Sequence, residues 1–366
     1  MVQRRVDIQR DPGHAGTVVT AMKQMIPMAS PPARPGAARN AGDDYGVGDP
    51  PDWRSVDWAA HLHRVEVAGR EVNYVDMGEQ GRHRPMLFIH GLSGQWQNWL
   101  ENIPHFAQER RVVAVDLPGF GTSDMPAEQI SIEVYGQVVA ELCECLDLSP
   151  AVVVGNSMGG FVAAELAIVK PEVVERLMLL ASAGVSQMDV AKRPLMALGK
   201  VAALLATSSV AQMKLVARRP KARHWVLSLV ARHPSRLKGD LLYEGMMKGA
   251  DKPGFEDALR ACLAYDFRDR LPQIGCPTLV VWGEKDAIIP VRDADTFVEL
   301  IPGSRKLVFK DTGHVPMLER PRTFNACLTE FLRHEVREGE LEGELNLDLE
   351  ALASGGSGGA ESEAAV

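Results

Sequence analysis

Val152-Val153-Val154-Gly155-Asn156-Ser157-Met158-Gly159-Gly160 decides how this chain is read. The β-branched run suits a buried strand. A Gly-x-Ser-x-Gly follows it, and Phe161-Val162-Ala163-Ala164-Glu165-Leu166-Ala167 opens a helical pattern at once. Strand, tight turn and helix in that order put a serine on a strained turn, its hydroxyl projecting from the sheet edge. Gly155 and Gly159 leave room where side chains would collide with the neighbouring strand and helix. The first N–H groups of the helix lack intrahelical partners, and the helix dipole favours negative charge there.

A serine hydroxyl is a weak nucleophile at neutral pH and needs an adjacent base. Downstream stand Asp286, in Gly283-Glu284-Lys285-Asp286-Ala287-Ile288-Ile289-Pro290, and His314, in Thr312-Gly313-His314-Val315-Pro316. With the elbow, this order of Ser, acid and His resembles that of α/β-hydrolase-fold enzymes over roughly residues 60–335. The resemblance implies an α/β-hydrolase fold: a mostly parallel eight-stranded sheet flanked by helices, with a helical cap inserted after the sixth strand. It implies Ser157 as nucleophile, His314 as general base and then acid, and Asp286 as the carboxylate that orients His314. An imidazole titrating near its ordinary value of about 6.5 can move a proton in both directions. Glu284 and Asp311 are rival acids close by. By the same resemblance, the backbone N–H groups of Leu92 and Met158 form the oxyanion hole.

Upstream of the elbow, Arg64-Val65-Glu66-Val67 and Arg70-Glu71-Val72-Asn73-Tyr74-Val75 flank Ala68-Gly69, which reads as a hairpin. Pro85-Met86-Leu87-Phe88-Ile89 and Arg111-Val112-Val113-Ala114-Val115 are unbroken apolar runs of the kind buried on both faces of a parallel sheet. The first ends in His90-Gly91-Leu92, where His90 is expected to order the loop rather than react. The second ends in Asp116-Leu117-Pro118-Gly119-Phe120-Gly121, where Asp116 is expected to shape a loop. Val134, Tyr135, Val138, Val139, Leu142 and Leu146 recur at helical spacing over 131–148, with Ser131 as cap.

Past the elbow helix, Leu177-Met178-Leu179-Leu180-Ala181 is a further strand, and alternation then stops. Residues 185–265 read as helices only and form the expected cap, with Leu195, Leu198, Val201, Leu204 and Leu205 on one face. Thr278-Leu279-Val280-Val281-Trp282 and Arg305-Lys306-Leu307-Val308-Phe309 resume the sheet, with helices over 291–301 and 321–335. The core is therefore 55–184 together with 266–337. Residues 1–54, rich in Pro, Gly, Ala and Arg, read as a largely disordered extension, with a short amphipathic piece at 17–28. Residues 338–366, acidic and then Gly/Ser-rich, read as a disordered tail.

With 46% hydrophobic residues in 366, the chain has ample material for a large core. The net charge of -8 gives no electrostatic reason to bind nucleic acid. Five cysteines at no metal-like spacing read as reduced thiols of a cytoplasmic protein. Arg4, Arg5 and Arg10 are followed by no apolar stretch that would make a secretory signal. The most apolar stretch, 195–216, is broken by Lys200 and Lys214, so no integral membrane segment is expected. There is no dinucleotide fingerprint and no metal-ligand cluster, so neither cofactor nor metal is implied.

Ser157 at the elbow, where relatives such as haloalkane dehalogenases carry Asp, implies a covalent acyl-enzyme and a small-molecule ester or related acyl substrate. The Gly155-Asn156-Ser157-Met158-Gly159-Gly160 elbow is also similar to that of meta-cleavage-product hydrolases, which cleave carbon–carbon bonds. Those enzymes usually carry Trp after the catalytic His, where this chain has Val315. Lactone, thioester and acyl-transfer chemistry would use the same intermediate. A non-catalytic binding member of the fold would have no use for all three triad residues. Substrate size and oligomeric state leave no trace in these motifs.

Overall fold

The apolar runs lie side by side in one eight-stranded sheet in the computed structural model, which describes residues 30–81, 83–185, 210–247 and 253–333. The strands are β1 (Leu62–Val67), β2 (Arg70–Met77), β3 (Met86–Ile89), β4 (Val112–Val115), β5 (Ala151–Asn156), β6 (Val174–Leu180), β7 (Thr278–Gly283) and β8 (Arg305–Phe309). Their spatial order is β1-β2-β4-β3-β5-β6-β7-β8. The β1–β2 and β2–β4 pairs are antiparallel, and all others are parallel. The β1–β2 hairpin turns at Ala68 and Gly69, both at positive φ.

Burial on both faces explains why the central strands read as unbroken apolar runs. Leu87 and Ile89 of β3, Val113 and Val115 of β4, and Val153 of β5 belong to one core cluster. Met86, Phe88, Val112, Ala114, Val152 and Val154 belong to the cluster on the opposite face. Side chains alternate across a strand, so each run feeds both layers. The first layer is closed by helices α1 (Ile132–Cys145) and α2 (Met158–Val169). The second is closed by the aromatics around Trp99, which stacks on Phe88 at 4.5 Å, and by the helix Pro321–Arg333. Each such fully buried large apolar side chain contributes roughly 1.5–3 kcal/mol.

Helix α1 starts where expected: the Ser131 hydroxyl accepts the Val134 N–H at 3.1 Å. It ends at Cys145, short of the 148 expected, because Asp147 takes a positive φ and the chain turns toward β5. Between β6 and β7 the described residues form helices and turns without a strand. Among them are α3 (Val210–Arg218), α4 (Pro220–Leu227) and α5 (Phe255–Ala264). The Leu195–Leu205 face, the 17–28 piece and the 338–366 tail lie outside the described residues.

The 1–54 extension is not disordered throughout, as its composition led one to expect. Part of the 1–54 extension, the stretch from Ala41 to Trp53, is seated on the core. Tyr45 and Trp53 are buried within the second layer. Asp44 pairs with Arg320 and accepts the Thr323 hydroxyl at 2.8 Å, and Asp49 pairs with Arg322 at 3.1 Å. Composition pointed to disorder. Two aromatics and two well-placed carboxylates outweigh it once their partners are in place.

Candidate active site

The parallel strands deliver their carboxyl ends to one edge of the sheet, where β3 lies between β4 and β5 and the chain order reverses. A crevice at such a switch point is where open α/β sheets bind ligands. At that edge β5 runs into Ser157, which takes φ 55° and ψ -116° as the chain passes into α2. A non-glycine residue held there stores about 1–3 kcal/mol of strain. Its backbone is pinned at both ends: Ser157 N–H donates to Leu180 at 3.0 Å, and Ala183 N–H donates to the Ser157 carbonyl at 3.0 Å. A Cβ on Gly155 would stand 2.2 Å from the Gly159 carbonyl oxygen, and one on Gly159 would stand 2.2 Å from that of Ile89. The glycines let α2 start against β3 and β5.

Asp286 and His314 meet in the structure, although 27 residues lie between them. The buried Asp286 Oδ2 is 2.7 Å from His314 Nδ1, and its Oδ1 accepts N–H bonds from Ile288 (2.8 Å) and Ile289 (3.0 Å). A carboxylate that already accepts two backbone donors is an acceptor for the imidazole as well. This puts the proton on Nδ1 and the lone pair on Nε2. The rival acids are engaged elsewhere. Glu284 holds Lys285 at 2.8 Å and the Asp311 N–H at 3.0 Å. Asp311 holds Arg232 at 3.0 Å and His233 at 2.7 Å, and these contacts bring its pKa below the ordinary carboxyl value against the opposing effect of burial.

The His314 loop is tied down from four sides. His314 N–H donates to Val230 at 2.8 Å, and Asn156 Nδ2 reaches the His314 carbonyl at 3.3 Å, one residue from Ser157. Fully buried Glu319 accepts the N–H groups of Gly313 (2.9 Å) and Val315 (3.3 Å), on either side of His314, and that of Arg232 at 2.8 Å. Tyr45 donates its hydroxyl to Glu319 at 2.5 Å and accepts the His233 N–H at 2.7 Å. Burial raises the Glu319 pKa against these hydrogen bonds, and burial beside Glu319 keeps the Tyr45 phenol neutral. Sequence reasoning missed both residues. Glu319 carried one signal, a lone acid closing the apolar run Val315–Leu318; Tyr45 carried none beyond being aromatic in a Pro/Gly-rich stretch.

Opposite the elbow, the loop after β3 comes within reach of the serine: a Cβ on Gly91 would lie 3.0 Å from Ser157 Cβ. Buried His90 accepts the Leu117 N–H on Nε2 at 3.0 Å, which leaves the proton on Nδ1 to donate to the Gly91 carbonyl at 2.8 Å. The C=O and N–H of a trans peptide point in opposite directions. Fixing the Gly91 carbonyl therefore fixes the Leu92 N–H. Met158 is the first residue of α2, so its N–H has no partner within the helix. Asp116 is occupied with the adjoining loop. Its carboxylate takes the N–H groups of Trp96 (2.8 Å) and Thr122 (3.0 Å) and the Asn73 amide (2.8 Å). Among the described residues, no group of three or more His, Cys, Asp and Glu is arranged to hold a metal.

Comparison with known proteins agrees with this architecture. The sequence profile of the alpha/beta hydrolase fold matches residues 84–321. The chain is 34% identical over 279 residues to a Pseudomonas putida dihydrolipoyllysine-residue acetyltransferase component of an acetoin cleaving system, covering 74% of this chain and 69% of that protein. It is 31% identical over 273 residues to a 2-hydroxymuconate semialdehyde hydrolase of Pseudomonas sp. strain CF600, covering 70% and 89%. Among solved structures it is similar to a thermophilic esterase from Thermogutta terrifontis. The TM-score is 0.59 at 25% identity, over 74% of this chain and 98% of that one.

Proposed function

The chain belongs to the alpha/beta hydrolase fold family, and from that premise we propose that it is a serine hydrolase cleaving a carboxylic ester through Ser157, His314 and Asp286. The observation that carries this reading is the buried Asp286–His314 contact of 2.7 Å, which leaves Nε2 of the imidazole as the base. Similarity to the Thermogutta terrifontis esterase supports the substrate class.

In this mechanism Ser157 Oγ attacks the acyl carbonyl carbon while His314 Nε2 takes its proton. The carbonyl oxygen becomes an oxyanion and meets the N–H groups of Leu92 and Met158. One such donor is worth about 3 kcal/mol in the transition state. The tetrahedral intermediate collapses, the C–O bond to the alcohol breaks, and His314 returns the proton to the leaving oxygen. Water then attacks the acyl-enzyme with His314 again as base, which releases the acid and frees Ser157. Asp286 stabilises the imidazolium in both halves.

Intact-mass analysis after fluorophosphonate treatment, with turnover of nitrophenyl esters of increasing acyl length, tests this reading. Wild type should gain one label and turn over esters. Ser157→Ala should gain none and lose roughly a million-fold in kcat. Ester turnover by Ser157→Ala at the wild-type rate would rule the assignment out.

A second reading, carbon–carbon bond hydrolysis, is favoured by the similarity to 2-hydroxymuconate semialdehyde hydrolase. Val315 beside His314, where such enzymes usually carry Trp, counts against it. Labelling of Ser157 without ester turnover would favour it. The Pseudomonas putida acetyltransferase relative likewise keeps transfer of the acyl group to an acceptor other than water as a variant of the same chemistry.

A further inference from the structure

Charge is unevenly distributed along this chain. Residues 210–239 contain eight Lys and Arg and not one Asp or Glu. The rest of the chain holds the other 32 basic residues against all 48 acidic ones. The same stretch carries the two most exposed large apolar side chains among the described residues, Trp225 at 54% and Leu215 at 50%.

Some of these basic groups serve the fold. Arg223 is buried and donates to the carbonyls of Ala217, Pro234 and Ser235. Arg232 pairs with Asp311, and Lys214 lies over the Tyr243 ring at 5.4 Å. Arg218, Arg219 and Lys221 are different: they are exposed and form no ion pair with another described residue. Helical spacing puts Arg218 and Lys221 beside the two apolar anchors. Leu215 precedes Arg218 by three residues in α3, and Lys221 precedes Trp225 by four in α4, so each pair shares a helix face; Arg219 sits in extended backbone at the junction of the two helices. The inner residues Met213, Ala217, His224 and Leu227 are buried, which directs these outer faces to solvent.

We propose that the outer faces of α3 and α4 form a peripheral docking surface for an anionic phospholipid bilayer. Exposed Arg and Lys beside an exposed Trp and Leu make up the side-chain set of interfacial helices. The cations meet lipid phosphates, and the indole and leucyl groups enter the headgroup boundary. Charge complementarity selects this occupant: a 30-residue stretch with eight Lys and Arg and no Asp or Glu attracts an anionic surface, although the chain as a whole carries a net charge of -8. No helix among the described residues is long and apolar enough to cross a bilayer, so the contact is peripheral. Three residues after α4 the chain reaches Val230, whose carbonyl holds the His314 N–H. The docked face therefore adjoins the segment that holds the candidate active site.

Co-sedimentation of the full chain with vesicles of phosphatidylglycerol mixed into phosphatidylcholine, against phosphatidylcholine alone, tests the proposal. Binding should require the anionic lipid and be released by added salt. Arg218→Ala with Arg219→Ala should lower the partition coefficient roughly 25-fold, at about five-fold for each lost cation near the surface. Trp225→Ala should weaken binding separately, with circular dichroism and Tm as checks that both variants fold. Ser157→Ala should bind as wild type does, so this result stands or falls independently of the ester reading. Equal sedimentation with both vesicle types, or wild-type binding by the double-Arg variant, would overturn the proposal. So would retention on immobilised polyglutamate without vesicle binding, which would assign the face to an acidic protein.

Discussion

At the scale of single residues, the candidate site depends on a few positions with no spare space or spare hydrogen bonds. Gly159 is the strictest, since a Cβ there would sit 2.2 Å from a backbone oxygen of β3 that cannot swing away. Gly159→Ala should therefore destabilise the protein by roughly 3 kcal/mol or more, read as a lower denaturant midpoint. Asp286→Asn should leave the fold intact but offer His314 Nδ1 an amide N–H in place of an acceptor. The tautomer would reverse, and kcat should fall about ten-thousand-fold with little change in KM. Wild-type kcat in that variant would remove Asp286 from the proposed triad. Gly155, Ser157 and Gly159 could be read from sequence because their spacing is local. The choice of Asp286 over Glu284 and Asp311 could not be checked there, because all three follow β7 or β8 within a few residues of the site.

At the scale of elements, the stretch from Ala41 to Trp53 behaves as a strap across the His314 loop. Tyr45 bonds to Glu319, and Glu319 holds the N–H groups on both sides of His314. Tyr45→Phe would remove the donor to Glu319 and the acceptor for the His233 N–H, at a cost of about 1–3 kcal/mol. Thermal unfolding should show this loss, and kcat should fall more than KM rises. Removal of residues 1–54 should lower stability far more than removal of residues 1–29. Equal stability of the two truncated proteins would mean that the strap holds nothing. The long-range partners of Tyr45 explain why composition misjudged this element. Its hydrogen bonds reach 188 and 274 residues along the chain, beyond any sequence window.

At the scale of the whole molecule, the cysteines report on how closed the core is. Cys143, Cys262 and Cys327 are buried; burial pushes the first two thiols up to about 12 and the third higher still. Half-buried Cys276 is raised to about 11, and Cys145 is exposed. All five are free thiols. Reaction with a colorimetric disulfide reagent at neutral pH should thus give one fast equivalent in the native protein and five in denaturant. More than one fast native equivalent would mean that the layers over the sheet open readily.

What depends on neighbours along the chain was legible in the sequence. The apolar runs gave the strands, the helical spacing gave α1 and α2, and the Gly-x-Ser-x-Gly turn gave the bend at Ser157. Each is set by sterics and burial within a few residues. The order of Ser, acid and His, read through the resemblance to a known family, added the fold. The folded chain alone shows which carboxylate meets His314, that Glu319 and Tyr45 brace its loop, and that part of the amino-terminal stretch is ordered. It alone decided that Trp225 and Arg218 face solvent. Those outcomes depend on groups far apart in sequence competing for the same few buried donors and acceptors, and that competition has a definite result only once the chain has folded.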